Sequence, residues 1–402
     1  MSASLGVAVI GAGMAGKAHA AAYRTASALY SPTLPEIRLV SIGDVNPEFG
    51  GLAARRFGYE RTDTSWQAIA EADDIDVVSV VIANHLHREV VEGLLAAGKH
   101  VLCEKPLSDT LKDARAMAAA AIAAEERGVL TRVGFTFRRT PGIAYIRDLV
   151  ADGTLGKVLH FSGRYWTDYA SSPKTAMSWR FQGGPGSGAL ADVGSHLAYV
   201  AEFIAGDITS VRGGELSTVI HQRAEPLGAV QGHGNAAVSD TFLPVTNDDY
   251  ATFSAEFANA GVGGFEVSRV AAGHANSLIF EVFCENGAAR FDQRRPSEIE
   301  LFLNAGAEGG GGSTAQNGYR QVILGPEHPY VAGGLAMDAP SVGFGQNDAF
   351  AYQARAFLDE VAGLSAADSL PRNASLAEGV HNMEILAAVT ESAANNGQAV
   401  SL

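Results

Sequence analysis

Val7-Ala-Val-Ile10-Gly11-Ala12-Gly13-Met14-Ala15-Gly16 is an apolar run that halts at a glycine and leads into an alanine-rich, proline-free stretch over residues 15–29. That is a strand, a tight turn and a helix. Alone, G-x-G-x-x-G is a weak pattern in a chain with 46 glycines among 402 residues. Its place at the first strand-to-helix junction gives it meaning. Gly11 permits the turn, Gly13 lets backbone amides approach a pyrophosphate, and Gly16 lets helix and strand pack closely. With Ala12, Met14 and Ala15 they form a loop at a helix N-terminus, where N–H groups and a partial positive charge favour phosphate.

Working outward, Ile37–Ile42 is a second apolar run, closed by Asp44, and Asn46-Pro47 opens a helix as N-cap and first residue. Val77–Ile82 follows, then a helix over 86–97 ended by Gly98, a strand His100–Cys103, a helix over 109–126 ended by Gly128, and a strand Val129–Phe135. Strand-helix alternation of this kind predicts a doubly wound parallel sheet, a dinucleotide-binding Rossmann domain over residues 1–135. Asp44, at the end of the second strand, suits the adenosine ribose hydroxyls and repels a 2′-phosphate, so NAD is expected over NADP. Asp44 stands farther from Gly16 than the usual ~20 residues, and the proline-containing stretch Ser31–Glu36 accounts for the difference as an insertion.

The character changes after residue 135. A helix is expected over Pro141–Leu149. Residues 157–166 alternate, with Leu159, Phe161, Gly163 and Tyr165 on one face. Strands follow at 208–219, 250–258, 262–270, 277–284, 288–292, 298–303 and 319–324, with Asn286-Gly287 as a hairpin turn. Asn304–Gly318 reads as a surface loop, and helices close the chain at 346–362 and 374–395. The expectation for 136–402 is an α+β substrate-binding and oligomerisation domain with a large, mostly antiparallel sheet. Its last helix is expected to return to the first domain. Too few helices remain to cover that sheet, so its open face predicts a homo-oligomer, a dimer or tetramer.

Composition agrees with a cored protein: apolar residues make up 47% and charged residues 18%. The formal charge of −15 leaves nothing to neutralise nucleic-acid phosphates. No uncharged apolar window reaches the length of a membrane span. The N-terminus lacks a signal-peptide pattern, so a cytoplasmic protein is expected. Cys103 and Cys284 read as buried thiols. His85 and His87 have no companion cluster, so no metal site is expected.

Glu104-Lys105-Pro106 follows the fifth strand, at the rim where open parallel sheets bind ligands. Farther on, Gly186-Ser-Gly-Ala-Leu-Ala-Asp192-Val-Gly-Ser-His196 reads as a glycine-rich loop entering a helix, with Asp192 and His196 on one helical face. In isolation such a pair is a helix-stabilising contact. Beside a dinucleotide fold and a strand-end lysine it acquires chemistry.

These features, with Ala97-Gly-Lys-His-Val-Leu-Cys-Glu-Lys-Pro-Leu107 and Ser178-Trp179-Arg180-Phe181, resemble the glucose-fructose oxidoreductase/inositol dehydrogenase (Gfo/Idh/MocA) family over essentially the whole chain. Arg138-Arg-Thr-Pro141 and Tyr165-Trp-Thr-Asp-Tyr169 are similar to its pyranose and anhydrosugar dehydrogenases. The resemblance implies oxidation of a secondary ring hydroxyl of a sugar, glycoside or polyol by NAD. A histidine suits the proton, so His196 is the expected base and Asp192 its neighbouring carboxylate, while Lys105 steadies the developing alkoxide. The resemblance also implies a cis Lys105–Pro106 bond, and Asn84, His87, Glu104, Lys105, Trp179 and Arg180 as cofactor neighbours. Phe137 and Thr167 replace a tyrosine and a longer polar side chain common in relatives. With Tyr169 and Lys174 they are the expected substrate contacts, while His328 and Tyr330 reach from loops. Such a pocket leaves open an NAD-dependent glycoside hydrolase that oxidises C3 transiently, eliminates, hydrates and re-reduces.

Overall fold

The computed structural model describes residues 4–30, 34–228, 230, 236–304, 318–334, 336, 337, 339 and 342–402. Most of the Asn304–Gly318 loop, and residues 31–33 of the inserted stretch, lie outside them. The chain forms two compact units, Met1–Arg139 with Pro329–Met383, and Thr140–His328 with Glu384–Leu402.

The first unit runs β1 (Ser4–Ile10), α1 (Met14–Ala26), β2 (Glu36–Gly43), α2 (Pro47–Phe57), β3 (Arg61–Asp63), α3 (Trp66–Glu71), β4 (Val77–Val80), α4 (His87–Ala96), β5 (His100–Cys103), α5 (Leu111–Glu125) and β6 (Thr131–Val133). The sheet order is β3-β2-β1-β4-β5-β6, and every pairing is parallel. Order reverses at the β1–β4 pair, so the connections leaving these two neighbours run to opposite sides, and the crevice at their carboxyl ends is where such sheets take ligands. Asn46 caps α2 by accepting from the amides of Glu48 and Phe49. Short β3 and α3 lay outside the apolar runs of the sequence. One core joins Val7, Val9, Ala20, Tyr23 and Ile42 to Ala354, Phe357 and Leu358.

The second unit contributes α6 (Pro141–Ala151), β7 (Val158–Trp166), α7 (Ser195–Ala205), β8 (Ile208–Ser217), β9 (Gln222–Pro226), β10 (Val238–Pro244), β11 (Tyr250–Phe257), β12 (Val262–Ser268), β13 (Ser277–Cys284), β14 (Gly287–Asp292), β15 (Glu298–Leu303) and β16 (Arg320–Ile323). After α8 (Gln346–Val361) in the first unit and α9 (Leu376–Ala394), which passes from one unit to the other, β17 (Val400–Ser401) completes it. A nine-stranded sheet runs β16-β15-β14-β13-β7-β12-β11-β8-β17. It is antiparallel except where β12 meets β7. Asn286-Gly287 turns β13 into β14 as expected.

On the covered face, Phe253, Phe265, Phe161, Phe280 and Phe291 stack from strand to strand with centroids 4.5–5.6 Å apart. Offset aromatic pairs contribute beyond the area they bury. The opposite face bears Ser162, Arg164, Glu266, Glu281 and Arg290 along a groove of about 780 Å³. It is a charged surface, with Arg290 bridging Glu281 at 2.9 Å and Glu300 at 2.8 Å.

Two sequence expectations need correction. The register of β7 shifts near its start, where Cys284 pairs with Val158 and Phe283 with His160. Leu159 is thereby turned outward at 49% exposure while Val158 is buried. The two-stranded β9–β10 hairpin was absent from the expected strands because Gln222-Arg-Ala-Glu-Pro226 has no apolar alternation. Both cysteines are buried free thiols, and burial pushes Cys103 well up and Cys284 to about 11. Among the described residues, no helix is long and apolar enough to cross a membrane.

Candidate active site

The glycine loop of the first unit is shaped by close approaches. Gly11 has φ +107°, and a Cβ there would stand 2.0 Å from the Val81 carbonyl oxygen. At Gly16 a Cβ would stand 1.8 Å from the oxygen of Gly11, which is the tight helix–strand packing the motif requires. At Gly13 nothing lies within 4 Å of such an atom. Gly13 is also the N-cap of α1 and offers no side-chain cap, so the amides of Met14, Ala15 and Gly16 begin the helix with no side-chain partner from that position. Open space in front of uncapped N–H groups fits a pyrophosphate.

Asp44 is half-buried at the end of β2. Its Oδ2 accepts from the Ala12 amide at 2.8 Å and its Oδ1 from the Asn46 amide at 2.8 Å. The carboxylate therefore buckles the glycine loop to the β2 rim, and each oxygen keeps a lone pair for a ribose hydroxyl. Only the second task is legible in the sequence.

At the neighbouring rim, Asn84 opens a single helical turn after β4 and is half-buried. Lys105, after β5, is half-buried too, and its bond to Pro106 is cis. Glu104 is buried, with Oε1 2.9 Å from His19 Nε2 and Oε2 accepting from the Lys105 amide at 3.1 Å. Burial alone would raise its pKa. The hydrogen bond to His19, with Lys105's charge and amide, outweighs that and holds it below the usual carboxylate value. His87 has 0% exposure, and its ring nitrogens lie 3.2 Å from the carbonyl oxygens of Leu107 and Ile82. The ring sits behind the two rim loops with one N–H to donate to one of these carbonyls, and it presents no surface to a nucleotide, which corrects its expected role. Burial lowers its pKa. Phe137 is also buried, at 3% exposure. Tyr330 is packed 5.0 Å from the Tyr352 ring, with Arg139 Nη1 donating to its hydroxyl at 3.3 Å.

In the second unit, Asp192 belongs to a π-helical turn, Leu190–Gly194, and α7 starts only at Ser195. The expected uniform helix is thus interrupted between Asp192 and His196; such π turns recur at functional sites. Tyr169 donates to Asp192 Oδ2 at 2.7 Å, and Arg180 Nη1 lies 3.8 Å from Oδ1. Burial, then the charge of Asp192, drives the Tyr169 pKa well up, so the phenol remains a donor. Trp179 is 48% exposed with the Arg180 guanidinium 4.5 Å from its ring centre. His196 is half-buried, its ring 6.0 Å from that of Tyr165. Thr167 is buried, its amide donating to the Ser268 carbonyl at 2.8 Å, and Lys174 is exposed. His328 is buried 6.3 Å from Tyr145.

The turn rests on a scaffold that the sequence did not reveal. Buried Asp248 accepts from the amides of Gly186 (2.9 Å), Gly188 (3.0 Å) and Leu190 (2.8 Å). Beside it, Arg269 donates to Asp249 Oδ1 (2.8 Å), the Arg180 carbonyl (2.8 Å) and Asn247 Oδ1 (2.7 Å). Arg223 donates to the Ser172 and Ala170 carbonyls, and the Phe181 ring packs against both guanidinium groups. Thr246-Asn-Asp-Asp249 looks like an exposed turn in sequence, and only its burial reveals the task.

The model for the oxidoreductase family with an NAD-binding Rossmann fold matches residues 5–135, and that for the GFO/IDH/MocA C-terminal domain matches residues 143–290. The chain belongs to the GFO/IDH/MocA oxidoreductase family. It is an NAD-binding oxidoreductase, close to sugar dehydrogenases. A levoglucosan dehydrogenase from Pseudarthrobacter phenanthrenivorans is 36% identical over 353 residues, 85% of this chain and 86% of the relative. A 1,5-anhydro-D-fructose reductase from Ensifer adhaerens is 33% identical over 173 residues, 42% of this chain and 49% of its own. Among solved structures, levoglucosan dehydrogenase in complex with NADH and L-sorbose matches with a TM-score of 0.85 at 32% identity, covering 100% of this chain and 99% of that one.

Proposed function

We propose that this protein oxidises a secondary ring hydroxyl of a pyranose-type sugar, with an anhydrosugar such as levoglucosan as the leading substrate. NAD, when bound, accepts the hydride. Gly11, Ala12, Gly13, Met14, Ala15 and Gly16 hold its pyrophosphate and Asp44 its adenosine ribose, with Asn84, Lys105, Trp179 and Arg180 as further neighbours. The Lys105 ammonium donates to the reacting hydroxyl and stabilises the negative charge that grows there. His196 takes the hydroxyl proton on an imidazole nitrogen. Asp192 orients the substrate and the base. The observation that carries this reading is the fixed Asp192: it meets Tyr169 at 2.7 Å and stands four residues before His196. The charged open face of the second sheet is proposed as the contact between copies, and the cytoplasm as the compartment.

The test combines purified protein, NAD, levoglucosan, free sugars and aryl glycosides, with NADH absorbance and aglycone release recorded together. NADH accumulation with levoglucosan is the expected result. Lys105→Ala should lower turnover by about 10²–10³-fold, the usual loss for one donor to a developing oxyanion, while NADH still binds, about 10-fold more weakly because Lys105 is also its neighbour. Full activity in that variant would sink the mechanism. Aglycone release without net NADH would replace it by transient-oxidation glycoside hydrolysis.

A further inference from the structure

Behind the β5 rim lies a buried line of polar groups that no step above uses. His19 stands on α1, one turn past Gly16, at 2% exposure. Its Nε2 is 2.9 Å from Glu104 Oε1 and its Nδ1 is 3.0 Å from Ser79 Oγ, while the Tyr23 hydroxyl is 2.9 Å from the same Oγ. Ser79 and Tyr23 are fully buried.

Donor and acceptor counting orders the protons. Ionised Glu104 can only accept, so His19 Nε2 carries a hydrogen. In the neutral ring Nδ1 is then the acceptor of a hydrogen bond from the Ser79 hydroxyl, and Ser79 Oγ accepts one from Tyr23. Burial keeps the Tyr23 phenol protonated, so it remains a donor. The line ends at Glu104, whose other oxygen accepts from the Lys105 amide. The carboxylate lies against Gly134, where a Cβ would stand 2.8 Å from Oε1, so glycine there leaves the room that Glu104 occupies.

We propose that His19 is a positioning residue for Lys105. It holds Glu104 as the carboxylate that fixes the Lys105 peptide, and thereby ties the lysine to the helix whose N-terminus takes the pyrophosphate. The inference rests on the reading of Lys105 as the working lysine. Without the Nε2 bond, Glu104 is a buried carboxylate short of a partner, and it takes up a proton rather than remain so. Protonated, its Oε2 is a weaker anchor for the Lys105 amide.

Two variants separate this from a general structural role. His19→Gln keeps a donor at the Nε2 position facing Glu104, whereas His19→Asn keeps only the Nδ1 side facing Ser79. NADH affinity, read by its fluorescence, should fall about 10-fold in His19→Asn and return to within about threefold of the parent in His19→Gln, the scale of one hydrogen bond to a charged group. Turnover of levoglucosan should follow the same order. In the unsubstituted protein, ¹⁵N-histidine NMR should show His19 as the Nε2–H tautomer, a readout that needs no variant to fold. Equal loss in both variants, no loss in either, or an Nδ1–H tautomer overturns the proposal. Absent levoglucosan turnover with the tautomer and the NADH order intact would remove the proposed substrate and leave this inference standing.

Discussion

Between β1 and α1 the backbone turns where side chains are missing, whereas between Gly186 and Leu190 it turns around a buried carboxylate. The first loop depends on atoms that are absent, with contacts at Gly11 and Gly16 that no Cβ could tolerate. The second depends on atoms that are present and costly to bury: Asp248, Asp249, Arg223 and Arg269, each at most 2% exposed. A glycine turn is specified chiefly by its own few residues, with the Gly43 carbonyl accepting from the Gly11 amide and Asp44 from that of Ala12. The π turn is specified from residues some 60 positions away, through Asp248 bonds to Gly186, Gly188 and Leu190. The glycine loop should therefore fail by steric obstruction and the π turn by loss of charge balance.

The largest break is expected in the second unit. Asp249→Ala strands Arg269 beside a lost counter-charge and should cost about 3–5 kcal/mol, the range for removing one partner of a buried ion pair. Urea unfolding followed by fluorescence checks it; a loss near zero would mean that the scaffold does not rest on Asp249.

A smaller and more instructive effect is expected in the glycine loop. Gly16→Ala forces a methyl into the Gly11 carbonyl and should cost about 1–3 kcal/mol of stability as well as NADH binding. Gly13→Ala meets nothing in the protein, so its stability should fall only by the difference between glycine and alanine at an N-cap, about 0.5–1 kcal/mol. NADH affinity should nevertheless fall. Thermal melts with and without NADH separate the two, and equal behaviour would erase the distinction between packing glycine and ligand glycine.

The mildest test is acid. Burial lowers the folded-state pKa of His87 below its unfolded value. Between those two values the unfolded chain binds more protons, so the His87 contribution to stability is complete above pH ~6.5 and declines as pH falls, by at most about 1.4 kcal/mol per pH unit. Glu104, also depressed, adds its own loss only below its unfolded value of about 4.3, as pH falls through its folded pKa. His87→Gln should flatten the slope of melting temperature between pH 6.5 and 5, and an unchanged slope would remove His87 from the account.

Legibility followed the range of the causes. The parallel strands, the capped helix at Asn46-Pro47, the Asn286-Gly287 hairpin and the rim lysine all declare themselves within a dozen residues. Arg223 shows the opposite case. In a strand of Gln, Arg, Ala, Glu and Pro it reads as solvated, yet it is fully buried against Phe181. His19 is a polar residue in an alanine-rich helix, and its partner Glu104 stands 85 positions on.

The sequence by itself determined the two kinds of sheet, the glycine loop and the chemical identities of the lysine, aspartate and histidine, because apolar period, glycine and residue type act locally. Only the tertiary structure decided the outward turn of Leu159, the π register at Asp192 and the charges that hold it. Each of those depends on which distant polar group fills a hydrogen-bond vacancy in the dry interior, and no local pattern carries that information.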